Sequence, residues 1–200
     1  EQVADSLRGQ GLECATEQVL SLSGSQQGLD LGAKLFIDAG TEVLLESPTY
    51  LAALQVFRFF GARFLPFPVG HIESLDLRGK TPAFAYAIPT FQNPSGHCYS
   101  QTERETLAAF CDDAGLPLFE DDPYRDLMFD DCVRTPVSSL LRKASWIYQG
   151  SFSKSLAPGL RLGYLAASPA LLPYLVRLKQ AADLHSNRLS QWLVGEQLIS

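Results

Sequence analysis

The stretch GSFSKSLAPGLRLG, residues 150–163, follows the short apolar run 146–149 and overlaps the start of another, 162–166. Polar residues between two such runs are typical of a turn beyond the end of a buried strand. Ser151, Ser153 and Arg161 can together donate hydrogen bonds to a phosphate dianion, with the arginine giving the charge-assisted pair. The spacing therefore predicts a phosphate site beside the amine of Lys154.

Lys154 has two interpretations. Most lysines are solvated surface residues, and a lone lysine would be interpreted that way. A lysine amine beside a phosphate site is instead free to act as a nucleophile toward an aldehyde. The polar clusters elsewhere in the chain favour the second interpretation.

On both sides of this stretch, helical patterns alternate with short apolar runs that end in polar or turn residues. This order is typical of βα units and a mostly parallel sheet. We therefore predict the α/β class, as a three-layer sandwich with a mostly parallel, seven-stranded sheet between helices. The predicted strands are 19–22, 42–45, 63–66, 83–87, 116–119, 146–149 and 162–166, and the predicted helices are 1–9, 26–38, 50–60, 102–114, 169–184 and 186–199.

Further polar clusters fall mostly beyond the carboxyl ends of the predicted strands, where open α/β sheets bind their ligands. They are SGSQQG (23–28), SPTY (47–50), NPSG (93–96) and EDDPY (120–124). SPTY and NPSG have ordinary interpretations, because Tyr50 also suits the start of a helix and NPSG is a common turn.

SGSQQG alone is a weak signal, because Ser25 also suits a helix N-cap after a turn at Gly24. The N-cap and phosphate-site interpretations are compatible. A helix that begins near Gln26 points its free backbone N–H groups at a bound anion. Ser25 and Gln26 are therefore the predicted second side of the phosphate site.

EDDPY contains three consecutive acids, Glu120, Asp121 and Asp122, after the apolar run 116–119. Alone, they would indicate a solvated loop or a divalent-metal site. A carboxylate at the tip of a buried strand needs a partner. Only one of the three can hold that position, and Asp121 is our candidate.

Composition excludes several classes of partner. The chain has 16 Lys and Arg against 22 Asp and Glu, a net charge of -6, and no basic run, so nucleic acid is not expected to bind this segment. No apolar run is long enough to span a bilayer, and no signal peptide is present. The four cysteines lack metal-ligand spacing, which predicts scattered, buried thiols in a reducing cytoplasm and no metal.

The five clusters, in this order, resemble those of fold-type I enzymes that depend on pyridoxal 5'-phosphate (PLP), specifically the class I/II aminotransferases. The chain is most similar to the branch that includes kynurenine/2-aminoadipate aminotransferases and the aminotransferase-like domains of MocR-type regulators. The resemblance covers nearly the whole chain. Each motif alone is modest evidence, whereas the ordered set is specific: SGSQQGLDL (23–31), QNPSG (92–96), EDDPY (120–124) and GSFSKSLAPGLRLGY (150–164).

The resemblance implies a role for each site residue. Lys154 forms the Schiff base with PLP and moves the proton between substrate and cofactor. Asp121 pairs with the pyridinium nitrogen, and Tyr50 stacks on the ring. The 3'-oxygen of the ring is bound by Asn93 and Tyr124, and the phosphate by Ser25, Gln26, Ser151, Ser153 and Arg161. The resemblance also makes the Ser47–Pro48 and Asn93–Pro94 bonds candidates for cis peptides.

The resemblance implies transamination between an amino acid and a 2-oxo acid, in amino acid metabolism, by a homodimeric parent protein. The main alternative is a PLP-binding sensor domain of a MocR/GntR-type transcription regulator, which a basic winged helix upstream of Glu1 would reveal. Another PLP reaction, such as elimination or decarboxylation, and an α/β domain with a different phosphate ligand remain alternatives.

We expect residues 1–200 to be an incomplete PLP-binding large domain. The N-terminal segment and the C-terminal small domain of the parent protein are then outside this chain. In the family, the arginine that binds the substrate carboxylate belongs to that small domain. Arg125 and Arg188 are the nearest substitutes in this sequence, and whether the segment alone binds PLP stays open.

Overall fold

The computed structural model describes residues 1–128 and 131–199. It has the predicted succession of strands and helices. The strands are β1 (Val19–Leu22), β2 (Glu42–Ser47), β3 (Arg63–Pro68), β4 (Ala85–Ala87), β5 (Leu118–Asp121), β6 (Trp146–Ser151) and β7 (Gly163–Ala167). The α-helices are α1 (Gln2–Gly9), α2 (Ser25–Phe36), α3 (Leu51–Phe59), α4 (Gln101–Ala114), α5 (Leu172–Asp183) and α6 (Arg188–Ile199).

The strands form one seven-stranded sheet in the order β1-β7-β6-β5-β4-β2-β3. Strands β2 to β6 pair in parallel, whereas β7 is antiparallel to both β1 and β6. The predicted fold class, a mostly parallel seven-stranded α/β sheet, is therefore confirmed. Strands β2 and β6 extend two residues past their predicted ends, because Ser47 and Ser151 still pair with neighbouring strands.

Successive residues of the central strands contribute to cores on opposite faces of the sheet. Val43 and Leu45 of β2 belong to the core that contains residues of α2, α3 and α5, whereas Leu44 between them belongs to the core that contains residues of α4. This is the period of two that a pleated strand imposes. The sheet is thus covered on both faces, as the three-layer prediction requires.

The parallel strands bring the predicted polar clusters to one edge of the sheet. Ser47, Asp121 and Ser151 are the last residues of β2, β5 and β6, and these strands run in the same direction. The carboxyl ends of parallel neighbours meet at the same edge. The turns that follow them, although far apart in sequence, therefore surround a common space.

The cysteine prediction is wrong for two of the four thiols. Cys14 and Cys111 are buried as expected, but Cys98 and Cys132 are only partly buried. Cys132 lies in the connection between β5 and β6, outside the strands and helices that the structure describes, so apolar periodicity says nothing about its burial. Among residues 1–128 and 131–199, no helix has the length and apolar character needed to cross a membrane.

Candidate active site

All ten predicted site residues line one cavity of about 330 Å³ at this edge of the sheet. Ile88 and Pro123 complete its wall. The ten residues come from five separate turns or strand ends, and their individual roles stay predictions. They are Ser25, Gln26, Tyr50, Asn93, Asp121, Tyr124, Ser151, Ser153, Lys154 and Arg161.

One corner of the cavity is built for an anion. The N-cap of α2 is Gly24, which has a φ of 85° and gives the helix no side-chain cap, so Ser25 is the first helical residue and not the N-cap. A Cβ on Gly24 would lie 2.6 Å from Nη2 of Arg161, so the guanidinium can approach the helix end only because residue 24 is glycine. The positive end of the α2 dipole and the guanidinium cation therefore lie side by side, which favours a phosphate.

Ser151, Ser153 and Lys154 form the adjoining wall. Ser151 ends β6, and its Oγ accepts a hydrogen bond of 3.2 Å from the backbone N–H of Ser153. The turn so formed brings two hydroxyls and the lysine amine to the side of the cavity that also carries Arg161. A phosphate group and a reactive amine can thus be bound next to each other.

Asp121 lies on the inner wall and is buried. Its Oδ2 accepts a hydrogen bond of 2.7 Å from the Tyr86 hydroxyl, and its Oδ1 accepts one of 2.9 Å from Nε2 of Gln149. Burial raises the pKa of this carboxyl to about 6, although both hydrogen bonds oppose the increase. Among the described residues no cation pairs with Asp121, so a cationic ligand atom would restore its ionised form.

Glu120 and Asp122 have different partners from Asp121. Glu120 points to the opposite face of the sheet, where its carboxylate accepts hydrogen bonds from the backbone N–H groups of Val137 and Ser138 and from the Ser138 hydroxyl. Asp122 forms a buried ion pair of 2.7 Å with Arg125. Both acids are buried, so the solvated-loop interpretation is wrong, and no metal cluster occurs in the described part of the chain.

Arg125 is therefore not available as a substitute for the substrate-carboxylate arginine. Its Nε donates to Asp122 and to the Tyr148 hydroxyl, and its Nη2 donates to the carbonyl oxygen of Arg134. Arg188 lies against a separate cavity with His185 and Trp192. Neither arginine lines the cavity that holds Asp121 and Lys154.

Asn93, Tyr124 and Tyr50 line the remaining wall. Nδ2 of Asn93 donates a hydrogen bond of 3.0 Å to the Tyr124 hydroxyl, so two residues from different turns meet at one point. Tyr50 is the N-cap residue of α3, and its pKa is raised by burial and by the Asp121 charge. The Ser47–Pro48 and Asn93–Pro94 bonds are both cis, as the resemblance suggested.

Sequence reasoning missed two groups of residues. The first group forms hydrogen bonds to Asp121, and the second connects the two turns that contain the cis-prolines. Tyr86 and Gln149 belong to β4 and β6, the strands on either side of β5. Gly28 of α2 makes room for Gln149, because a Cβ there would lie 2.0 Å from its Oε1. The available signal was a polar residue inside an otherwise apolar strand, but its partner becomes known only with the strand order.

Glu46 is the second missed group. It is buried, and its carboxylate accepts hydrogen bonds from the backbone N–H of Ile88, the Gln92 amide and the Tyr99 hydroxyl. Gln92 also donates a 2.7 Å hydrogen bond to the carbonyl oxygen of Pro48, so this network joins the turn that carries Tyr50 to the turn that carries Asn93. Burial raises the pKa of Glu46 to about 7.

Tyr86→Phe is expected to lower the free energy of unfolding by about 1–2 kcal/mol at pH 8, because it removes a hydrogen bond to a buried carboxylate. Losing this donor also raises the pKa of Asp121 further, so the loss should shrink at pH 4, where the carboxyl is neutral in both variants. Urea unfolding at both pH values measures the effect. Tyr174→Phe, at an exposed tyrosine, is the control. An equal loss in both variants, or no loss at Tyr86, would contradict the assigned contact.

The fold and the cavity together define a class of protein: an α/β domain whose sheet edge combines an anion corner, a lysine amine and a buried carboxylate. A sequence profile of the family "Aminotransferase class I and II" matches residues 1–199. The chain belongs to this family, which confirms the resemblance to fold-type I PLP-dependent aminotransferases.

Individual relatives agree with this assignment. The chain is 44% identical over 191 residues to a 2-aminoadipate transaminase of Thermus thermophilus, covering 91% of this chain and 48% of that protein. It is 31% identical over 204 residues to an HTH-type transcriptional regulator, YisV, of Bacillus subtilis, covering 99% of this chain and 42% of the regulator. The chain thus spans about half the length of the curated relatives it matches.

A solved structure gives the same result for the fold. The alpha-aminoadipate aminotransferase of Thermus thermophilus, crystallised with N-(5'-phosphopyridoxyl)-L-leucine, superposes with a TM-score of 0.90 at 40% sequence identity. The match covers 100% of this chain and 53% of that one. The family is therefore established for residues 1–199, and the fold for the residues that the structure describes.

Proposed function

We propose that this chain is the PLP-binding large domain of an aminotransferase that moves an amino group between an amino acid and a 2-oxo acid. The observation that carries the proposal is that Lys154, Asp121 and Arg161 line one cavity. Lys154 supplies an amine for the aldehyde of PLP, Asp121 supplies an acid for its ring nitrogen, and Arg161 supplies a cation for its phosphate. Family membership over residues 1–199 supports the same cofactor.

The residues of the cavity fit PLP. The phosphate matches the corner formed by Arg161, the N-terminus of α2 and the hydroxyls of Ser25, Ser151 and Ser153. The protonated ring nitrogen matches Asp121, a buried acid without a cationic partner in the described part of the chain. Asn93 and the Tyr124 hydroxyl, which already share a hydrogen bond, suit the 3'-oxygen.

When bound, PLP supplies an aldehyde carbon that accepts amino groups and a ring that withdraws electrons from them. Lys154 would hold that carbon through its amine, and the same amine would serve as the base that takes the proton from the substrate Cα. Asp121 keeps the ring nitrogen protonated, held in place by Tyr86 and Gln149. Tyr50, on the wall nearest α3, excludes water from one face of the ring.

The first experiment is to record the visible absorption of the purified chain mixed with PLP, then to reduce the mixture with borohydride and map the modified peptide. We expect a new absorption band and a single reduced adduct on Lys154. Label spread over exposed lysines such as Lys80 and Lys143, or no band, would contradict the assignment of Lys154.

A regulator is the second candidate, because the similarity to an HTH-type transcriptional regulator covers 99% of the chain. Both candidates bind PLP, so turnover separates them. With the whole protein, 2-aminoadipate and other amino acids are added and the release of the oxo acid is measured. Stoichiometric conversion to the aminated cofactor and an oxo acid supports the transferase, whereas binding without conversion favours the sensor.

A further inference from the structure

Cys98 and Cys132 lie on the same wall of a second cavity, of about 660 Å³, that adjoins the site of Asn93 and Tyr124. Cys98 follows the Asn93–Pro94 turn, and Cys132 lies in the connection between β5 and β6. The two residues are 34 positions apart in sequence, and only the fold brings them together. Both side chains are partly exposed, whereas Cys14 and Cys111 are buried.

The contact between the two segments is direct. Sγ of Cys98 donates a hydrogen bond of 3.2 Å to the carbonyl oxygen of Val133, the residue that follows Cys132. Burial and the neighbouring Cys98 side chain both raise the pKa of Cys132. Because neighbouring Cα atoms are about 3.8 Å apart, a sulfur in contact with Val133 lies on the stretch of backbone that also carries Cys132.

Arg104 fixes both segments in this arrangement. Its buried Nη2 donates to the carbonyl oxygen of Val133 at 2.8 Å and contacts Sγ of Cys98 at 3.8 Å, and its Nη1 donates to the carbonyl oxygen of Thr135 at 2.9 Å. The guanidinium charges of Arg104 and Arg134 act to lower the pKa of Cys132, against the effects of burial and of Cys98. Burial and Cys98 outweigh these charges, so the pKa of Cys132 is raised overall, and the property that favours exchange with disulfides is the access of both thiols to solvent.

We propose that Cys98 and Cys132 form a reversible dithiol/disulfide pair at the rim of the cofactor cavity. The oxidant is a small-molecule disulfide such as oxidised glutathione. The Cys98 thiolate attacks one sulfur of that disulfide and releases one glutathione thiolate; the Cys132 thiolate then attacks the Cys98 sulfur and releases the second. The protein loses two protons and two electrons, and one glutathione disulfide becomes two glutathione thiols. The new bond joins the 131–135 segment to the turn that carries Asn93.

The experiment needs no PLP, so its outcome is independent of the proposed function. The chain is incubated with oxidised glutathione at neutral pH, quenched with acid, alkylated under denaturing conditions and digested with trypsin. Cleavage after Lys and Arg puts Cys14, Cys98, Cys111 and Cys132 in the separate peptides 9–34, 81–104, 105–125 and 126–134. We expect the alkylatable thiols to fall from four to two, with 81–104 joined to 126–134 within one chain, and dithiothreitol to restore all four.

Cysteine variants test whether the disulfide depends on the proximity of Cys98 to Cys132 or on the general reactivity of the cysteines. Cys98→Ser and Cys132→Ser should each abolish the internal link and leave the other cysteine as a thiol or as a glutathione adduct. Cys111→Ser, at a buried cysteine whose pKa burial raises to about 12, should form the link as the parent chain does. The proposal is overturned if Cys98 and Cys132 take up separate glutathiones without joining, remain unmodified, or link to Cys14, Cys111 or a second copy of the chain.

Discussion

Lys154→Ala is expected to abolish covalent attachment of PLP completely, so that borohydride reduction leaves no adduct on the peptide that normally carries it. The physical reason is that the other groups that line the cavity would bind the cofactor without bonding to it: Arg161 and the α2 terminus would contact its phosphate, and Asp121 would accept the ring N–H. Some PLP should therefore still bind, but reversibly. In the whole protein, the rate of amino-group transfer should fall by at least about 10²–10⁴-fold, the range that loss of a positioned proton-transfer group costs.

Lys80→Ala is the matched control, because Lys80 is exposed and does not line the cavity. Its adduct yield and absorption should equal those of the parent chain. Lys154→Arg keeps the positive charge beside the phosphate corner and removes the nucleophile, so it should retain binding and lose the adduct. An undiminished adduct in Lys154→Ala, carried by another lysine, would show that the covalent chemistry is not specific to residue 154.

The motifs and their resemblance to the family were sufficient to predict the fold class and ten of the twelve residues that line the cavity. There is also a geometric reason why these motifs meet. Motifs that follow parallel strands must meet at one edge of the sheet, whatever the strand order. The antiparallel direction of β7 and the partners of Asp121 could not be predicted, because both depend on which strands are neighbours. Gln149 faces Asp121 in the register of β5 and β6, a relation that no local pattern encodes.

The three acids of EDDPY also differ in whether a strand pattern or a tertiary contact decides their position. Alternation along a strand puts Phe119 and Asp121 on the face of α2 and Glu120 on the other face, so the choice of Asp121 agrees with an elementary property of the pleat. The ion pair between Asp122 and Arg125 was not predictable, because both residues lie outside the strands and helices. The proximity of Cys98 and Cys132 was missed for the same reason, because long connections carry no periodic signal.

Asp121→Asn is expected to increase the stability of the chain measured without PLP. The carboxyl is buried without a cation in the described part of the chain, and its pKa is raised from 3.8 to about 6. A group whose pKa is higher in the folded than in the unfolded state binds protons more readily when folded, so ionising it at pH 7 opposes folding. The difference between the two pKa values corresponds to roughly 1–3 kcal/mol, which the neutral asparagine would not lose.

The surroundings can accept the amide without adding an unpaired buried group, because a rotated Gln149 exchanges its unpaired Oε1 for an unpaired Nε2. The Tyr86 hydroxyl can donate to the asparagine Oδ1 as it does to the aspartate. Oε1 of Gln149 is buried without a hydrogen-bond partner, so rotating the Gln149 amide presents this oxygen to the new Nδ2. Urea unfolding from pH 3 to pH 8 should show a difference that is largest above pH 6, shrinks as the folded carboxyl is protonated, and vanishes near pH 3, where aspartate is protonated in both the folded and the unfolded state. Asp113→Asn, at an exposed residue of α4, is the control and should show no such trend.

Adding PLP should make the parent chain more stable than Asp121→Asn. A ligand that binds only the folded state stabilises it by RT ln(1 + [L]/Kd), about 2.7 kcal/mol at 100 times Kd. A protonated ring nitrogen beside the carboxylate supplies the missing cation, and asparagine cannot form that ion pair. The parent chain should therefore gain more stability from PLP than Asp121→Asn does. A chain stabilised by the substitution both with and without PLP would mean that Asp121 does not contact the ring nitrogen. With both results, Asp121 would be an acid that lowers the stability of the empty protein and is retained for its contact with the cofactor, an exchange of stability for function.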